Sequence, residues 1–500
     1  MFNDNQTECL NISSNWKKEK KFKEIQTQTE VQTLNQAGNQ YPLEDNKTTQ
    51  TYLFERSNQE YSVLSIDFFK LAKFIRSASE ITIKEIEKSI KSKRLNQLLQ
   101  NKKKIEILTV QKFTSEHLNE RFKNFSQTYI ISALSWNSTS SVLLVGYSFK
   151  HHENWCFHQS FICSWSIYKN KNNKPLKPNN IFQLDNCISF IQSHPNQPSI
   201  FAVGTFNGKL SIWDTRNQNE MQLIHVIAHR SSITGLHWTQ LDENKCDYIV
   251  SSGLDGKIFL WEIQNYKSLV NKKSFVILTD DLPRSLSIKG NKSNSEVGIF
   301  SMSFNTEYPS IFVVGCYGGA LFQCSLTNEK TLDTFSNNEN LSFTSPIVRS
   351  FAPHRGHVKI VQFCQTLRNI FLSCSLDCEL RVYNLLTSKP LMVIHTEKLI
   401  VNAEWSSSKL NIIILTEDGY IHIYNIYEYK NSAPFYTFSF GDKEKPIIFK
   451  GDFFTKNQQL AIGSSYQNIH VKDLSTCTNN FKYNETKDFL NKLIEDAEGE

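Results

Sequence analysis

Two histidine–aspartate pairings are the residues in this chain best suited to proton chemistry. His229 precedes Asp255 and Trp261, and "RGH" (355–357), ending in His357, precedes Asp377 and Tyr383. A histidine held by a carboxylate can act as a general base when its other ring nitrogen faces a substrate. Both sets, however, fall at the same place in a repeated unit, and Trp213 in "SIFAVGTFNGKLSIWD" (199–214) falls there too. Repetition with the unit makes the pairs structural. The histidine, a strand serine and the turn aspartate are expected to form a buried polar chain reaching the aromatic residue. The sequence has no GxxxxGK[ST] phosphate loop, no HExxH, no paired Cys/His ligand spacing and no G-x-S-x-G elbow. His151 and His152 sit in a loop and read as solvent-facing. No catalytic, cofactor or metal residue is expected, and the chain reads as a non-enzyme.

The repeated unit must position those residues. It runs through an apolar strand, a small-residue strand, a turn with Asp or Gly, and a strand ending in an aromatic plus a polar residue. It is clearest at 199–214, 248–262, 370–384 and 412–425, and weaker at 141–167, 310–326 and 459–474. Several units lie near the ~40–45-residue period of WD repeats. Seven units predict an all-β fold, a seven-bladed β-propeller over 103–475. Insertions are expected at 169–180 and 264–296. The last unit spans 446–474 and needs an outer strand from the front of the chain, for which "KKIEILTV" (103–110) is the candidate.

Composition sets outer bounds. Apolar residues make up 39% of 500, below the ~45–50% usual for globular chains, so part of the chain should be loop-rich or unfolded. A net charge of +6 is small for this length and does not suggest nucleic-acid binding, for which a clustered basic face is expected. The basic runs "KKEKKFK" (17–23) and "NKKK" (101–104) are short and read as solvated. The start lacks a basic segment followed by an apolar run, and no stretch approaches the ~18 apolar residues of a membrane span. Neither a secretory route nor membrane binding is expected. Eleven cysteines lie scattered, the nearest pair being Cys374 and Cys378. They read as reduced thiols of a cytosolic protein.

The flanks differ from the repeat. Residues 1–57 carry few apolar side chains and no period, and read as a disordered arm. Over 58–102, Leu64, Phe68, Leu71, Phe74 and Ile75 recur at three- and four-residue spacing. After "SASE" (77–80), Ile83, Ile86 and Ile90 continue less regularly. Amphipathic helices are expected there. Their apolar stripes either fold back on the propeller or dock another protein. Docking is favoured, because a disordered arm precedes them and the propeller is complete without them. The acidic tail, 476–500, reads as a short helix or frayed end and is assigned no function.

The arm repeats Thr-Gln-Thr. An extended peptide can add to the edge of a partner's sheet, with alternate side chains facing opposite ways. In "KTTQT" (47–51), Thr49 and Thr51 then face one way. Gln50 points oppositely, where it can cap a helix N-terminus. Lys47 adds a charge contact. Thr27, Gln28 and Thr29 form the same core without the lysine. Val31, Gln32 and Thr33 lie in "EVQTL" (30–34), which shares Glu30 with "QTQTE" (26–30), so only one of those two can be occupied at a time.

"KTTQT" resembles the K-x-T-Q-T ligand of dimeric dynein light chains of the light chain 8 class. Over roughly 103–475 the chain resembles the WD-repeat dynein intermediate chains. The specific segments are "LPRSLSIKGNKSNSEVGIFSMSFNTEYPSIFVVGCYGGALFQCSL" (282–326) and "GHVKIVQFCQTLRNIFLSCSLDCELRVYN" (356–384). At the front, "ISALSWNSTSSVLLVGYS" (131–148) and "NWCFHQSFICSWSI" (154–167) are similar to the cytoplasmic dynein 2 branch, the retrograde motor of intraflagellar transport. The chain departs from dynein 1 in showing no N-terminal coiled coil. The resemblance implies a subunit without cofactors, whose propeller holds a dynein heavy chain and whose arm holds light chains. A roadblock-type light chain would dock at 58–102, and a second dynein 2 intermediate chain would share the complex. It implies residence in the cytoplasm, cytoskeleton and cilium, including axoneme and basal body. The alternatives are an axonemal dynein intermediate chain, or a WD-repeat substrate receptor of a ubiquitin ligase or scaffold of another complex.

Overall fold

Strands such as "IFAVGT" and "YIVSSG" are apolar or small at nearly every position, so neither face tolerates water. Their solution is a ring of sheets stacked face to face. The computed structural model describes residues 69–84, 109–114, 118, 129–150, 156–168, 177–216, 222–241, 247–286, 295–328, 342–406, 411–426, 434, 436–439, 445–452 and 458–474. They fall in two compact units, Met1–Leu99 and Gln100–Glu500.

The described residues of the second unit form seven sheets, the blades of a seven-bladed β-propeller, antiparallel throughout except that Phe343–Thr344 adds in parallel to the outer edge of the third. Blade 1 runs Tyr129–Trp136, Val142–Phe149, Ser160–Ser166 and Asn180–Leu184. Blade 2 runs Ile188–Ser193, Ile200–Thr205, Lys209–Asp214 and Gln222–Ile227. Blade 3 runs Ile233–Thr239, Tyr248–Gly253, Lys257–Gln264 and Ser268–Val276. Blades 4, 5 and 6 begin at Ile299–Phe304, Val358–Phe363 and Ile400–Trp405. Blade 7 takes Pro446–Asp452, Gln459–Ser464 and Ile469–Asp473 from the end of the ring, and Thr109–Phe113 from its start.

That last pairing closes the ring. Thr109–Phe113 runs antiparallel to Ile469–Asp473, with Phe113 opposite Ile469. Of the expected closing strand, 103–110, Thr109 and Val110 belong to the observed one, and 103–108 lies outside the described residues. The anchor is Phe113, fully buried with its ring centroid 5.0 Å from that of Trp165. Burying an aromatic ring of this kind is worth about 3–5 kcal/mol against alanine.

Seven hydrophobic clusters fill the seven junctions between blades. Strand alternation assigns residues to them. Ile200 and Ala202 face blade 3, whereas Phe201 and Val203 face blade 1. Every inner strand also carries a bulge near its start. A bulge interrupts the ladder and leaves a carbonyl for another donor. The Ser148 hydroxyl donates to the Ile188 carbonyl at 2.9 Å, Ser189 to Ile233 at 2.6 Å and Thr234 to Ile299 at 2.7 Å. Each bond joins one blade to the next.

Turns between the second and third strands need a left-handed residue. Gly208 (φ 76°) supplies it in blade 2, where an added Cβ would collide with the His229 carbonyl oxygen. Cys378 (φ 62°) takes the same position in blade 5. The stretch 264–296, expected to be an insertion, holds the outer strand of blade 3. Its turn at Asn265 and Tyr266 has two positive-φ residues (49° and 53°) that fold Ser268–Val276 back on the third strand. After it, Leu278 bridges Glu296. The other expected insertion, 169–180, ends in the outer strand of blade 1, and 169–176 lies outside the described residues.

In the first unit, residues 69–84 form one helix that continues through "SASE". The hydroxyls of Ser77 and Ser79 donate to the Phe74 and Arg76 carbonyls at 2.9 and 2.8 Å, which absorbs their competition with the backbone. Leu71, Phe74, Ile75, Ile81 and Ile83 are exposed on it.

Candidate functional site

The polar chain of blade 3 starts from His229, whose side chain is fully buried between two strands. Its Nδ1 lies 2.9 Å from Asp255 Oδ1, and its Nε2 lies 2.9 Å from Ser251 Oγ. A carboxylate only accepts, so Nδ1 carries the proton. Trp261 Nε1 donates to Ser251 Oγ at 3.0 Å, which leaves the serine proton for His229 Nε2. Asp255 also accepts the amides of Arg230 and Lys257. Burial alone would raise the Asp255 pKa. The His229 ring and the two amides outweigh it and lower the pKa. Both ring nitrogens are committed, so the pair cannot pass a proton to a substrate.

Blade 5 repeats this arrangement with a different histidine from the one expected. His354 Nδ1 lies 2.9 Å from Asp377 Oδ2, and its Nε2 lies 2.7 Å from Ser373 Oγ. His357 is not in the chain. It accepts the Gly318 amide on Nδ1 at 3.0 Å and stacks 4.0 Å from Tyr317 and 5.6 Å from Phe300. The reason is register: the buried histidine stands four residues before the inner strand, as His229 does before Ile233 and His354 before Val358. Burial again opposes ionisation of Asp377. His354 and the amides of Arg355 and Glu379 overcome it and hold the carboxyl at about 2. Tyr383 stands in the tryptophan's place, but its hydroxyl donates to the Ala352 carbonyl at 2.8 Å and not to the serine.

In blade 2, Trp213 donates to Ser211 at 2.9 Å. Three further indoles bridge blades: Trp136 Nε1 to the Lys450 carbonyl at 2.9 Å, Trp238 to Gln192 at 3.1 Å and Trp405 to Gln362 at 3.1 Å. They stand at the end of inner strands or, for Trp238, one residue before it, and the sequence signal for them is a tryptophan at that position.

The binding motifs are distributed differently. Lys47, Thr49, Gln50 and Thr51 lie outside the described residues, as do Thr27, Gln28, Thr29, Val31, Gln32 and Thr33. Leu64, Phe68, Ile86 and Ile90 lie outside them too. Leu71, Phe74, Ile75 and Ile83 share the helix over 69–84, and all four are exposed.

Comparison with known proteins matches this geometry. The family model "WD domain, G-beta repeat" matches residues 221–262, from the outer strand of blade 2 through the polar chain of blade 3. Cytoplasmic dynein 2 intermediate chain 2 of Mus musculus is 26% identical over 341 residues, covering 64% of this chain and 63% of the mouse protein. The Homo sapiens protein of the same name is 24% identical over 419 residues, covering 82% of this chain and 77% of its own. Dynein axonemal intermediate chain 4 of Rattus norvegicus is 23% identical over 316 residues, covering 59% of this chain and 36% of the rat protein. The chain is a WD-repeat β-propeller protein related to the dynein intermediate chains.

Proposed function

We propose that the chain is a non-catalytic intermediate chain of cytoplasmic dynein 2, serving assembly of the retrograde intraflagellar transport motor. One observation carries the choice of branch. The match to the human dynein 2 protein covers 82% of this chain, more than the propeller's span of Thr109–Asp473 accounts for. The match to rat axonemal chain 4 covers 59%. In this reading the propeller, 103–475, holds the heavy-chain tail. The arm, 1–57, binds light chain 8 dimers at Lys47–Thr51 and at one of the two overlapping sites upstream. The helical region, 58–102, receives a roadblock-type light chain, with Leu71, Phe74 and Ile75 supplying the helix face. A second dynein 2 intermediate chain joins the assembly in the cytoplasm and cilium.

Two light-chain sites in one arm cooperate through linkage. Thr27 and Thr49 stand 22 residues apart, which spans at most ~75 Å when extended. The axonemal alternative shares the propeller and differs in the heavy chain it holds. Affinity purification of the tagged full chain from ciliated cells tests the reading. Recovery of the dynein 2 heavy chain with both light-chain types is expected. Recovery of an axonemal heavy chain would move the chain to the other branch. A ubiquitin-ligase adaptor without any dynein subunit would overturn the reading.

A further inference from the structure

The sequence contains no CxxC pair and no contiguous metal motif, yet folding brings three soft donors together at the junction of blades 1 and 2. The Sγ atoms of Cys156 and Cys187 and a ring nitrogen of His158 lie within 4.8 Å of one another. Cys156 and His158 precede the third strand of blade 1, Ser160–Ser166. Cys187 sits in the turn between Asn180–Leu184 and the inner strand of blade 2, Ile188–Ser193. Both cysteines are buried, and His158 is half-buried.

We propose that Cys156, His158 and Cys187 form a binding site for a zinc(II) ion that staples blades 1 and 2. Donor geometry supports this. Metal–sulfur and metal–nitrogen distances of about 2.3 and 2.0 Å place two donors of a tetrahedral ion about 3.5 Å apart. Cys156 Sγ lies 3.7 Å from His158 Nδ1. Two thiolates and an imidazole are a borderline-soft set suited to zinc.

Two backbone amides point at the sulfurs. The Cys187 amide donates to Cys156 Sγ at 3.3 Å, and the Phe149 amide donates to Cys187 Sγ at 3.3 Å. Such outer partners stabilise a thiolate and fix its direction. The donors are also held in place. The Cys156 carbonyl accepts the side-chain amides of Asn186 and Asn207 at 3.1 and 2.7 Å, and its own amide donates to Asn207 Oδ1 at 3.3 Å. The His158 ring lies flat on Phe149, 4.1 Å away with 1° between the planes. Binding releases the thiol protons to solvent and leaves one coordination position that these three residues do not fill.

A second grouping, His354, Asp377 and Glu379, fails the same test. Both His354 nitrogens are already bonded, and Glu379 is held by Arg381 at 2.6 and 2.8 Å.

The test uses the full chain, purified without chelator, with zinc measured by elemental mass spectrometry. The stripped protein is then titrated with cobalt(II), whose thiolate charge-transfer and visible d–d bands report the donor set. The expected result is one zinc per chain and a cobalt spectrum of two sulfurs. His158→Ala should weaken zinc binding by at least about 100-fold, because even outer partners are worth about 10–100-fold. That variant keeps both thiols and removes a half-buried ring, so its metal-free fold can be compared directly by circular dichroism. Cys378→Ser, at a thiol in blade 5, should bind zinc like the parent. The proposal is overturned if the parent takes up no zinc. It is equally overturned if His158→Ala binds zinc as tightly as the parent, or if peptide mapping finds a Cys156–Cys187 disulfide instead.

Discussion

Replacing His354 with alanine strands two groups, the Asp377 carboxylate and the Ser373 hydroxyl, which the histidine joins at 2.9 and 2.7 Å. The loss should be about 1–3 kcal/mol near neutral pH. It should also depend on pH. The Asp377 carboxyl is held at about 2, below its ordinary ~3.9, so its stabilisation is complete above about pH 4 and is lost as pH falls toward 2. Urea midpoints of the parent and His354→Ala should therefore converge on acidification. His357→Ala should leave that acid dependence intact, because its ring bonds Gly318 and stacks on Tyr317. Equal acid limbs in His354→Ala and the parent would count against the blade 5 assignment. The blade 3 residues were legible because His229, Asp255 and Trp261 carry the full pattern. Blade 5 misled because "GH" sits beside the true position. Only the offset to the inner strand separates His354 from His357. The indole bridges of Trp136, Trp238 and Trp405 link residues far apart in sequence, so local spacing could not assign them.

At the scale of elements, the helix over 69–84 and the closing strand Thr109–Phe113 both precede the first blade but answer to different demands. The strand covers the otherwise open edge of blade 7. The helix exposes Leu71, Phe74 and Ile75, which a partner would cover. Deleting 58–102 should remove the roadblock-type partner and leave the propeller's thermal unfolding unchanged. An unfolded or markedly destabilised ring would instead make those residues part of the propeller's own core. Strand existence was legible wherever apolar and small residues alternate across a Gly- or Asp-bearing turn. Strand extent was less so at the closure, where the buried anchor, Phe113, lies beyond "KKIEILTV". The apolar spacing becomes less regular after "SASE", yet one helix runs through it. Back-bonding of Ser77 and Ser79 explains its continuity.

At the scale of the whole molecule, a ring of seven blades was visible because each unit fails to bury its faces alone and so repeats the same compromise. In the proposed function, light chains occupy the motifs at 27–33 and 47–51, and the propeller holds the heavy chain. These two attachments should separate. The most direct measurement compares the full chain with a 103–475 propeller, each mixed with the dynein 2 heavy-chain tail, light chain 8 and a roadblock-type light chain, and resolved by size exclusion with mass determination. The account predicts that the propeller alone keeps the heavy-chain tail with little loss of affinity and loses both light chains. A folded propeller that releases the heavy chain, while the full chain retains it, would contradict the account.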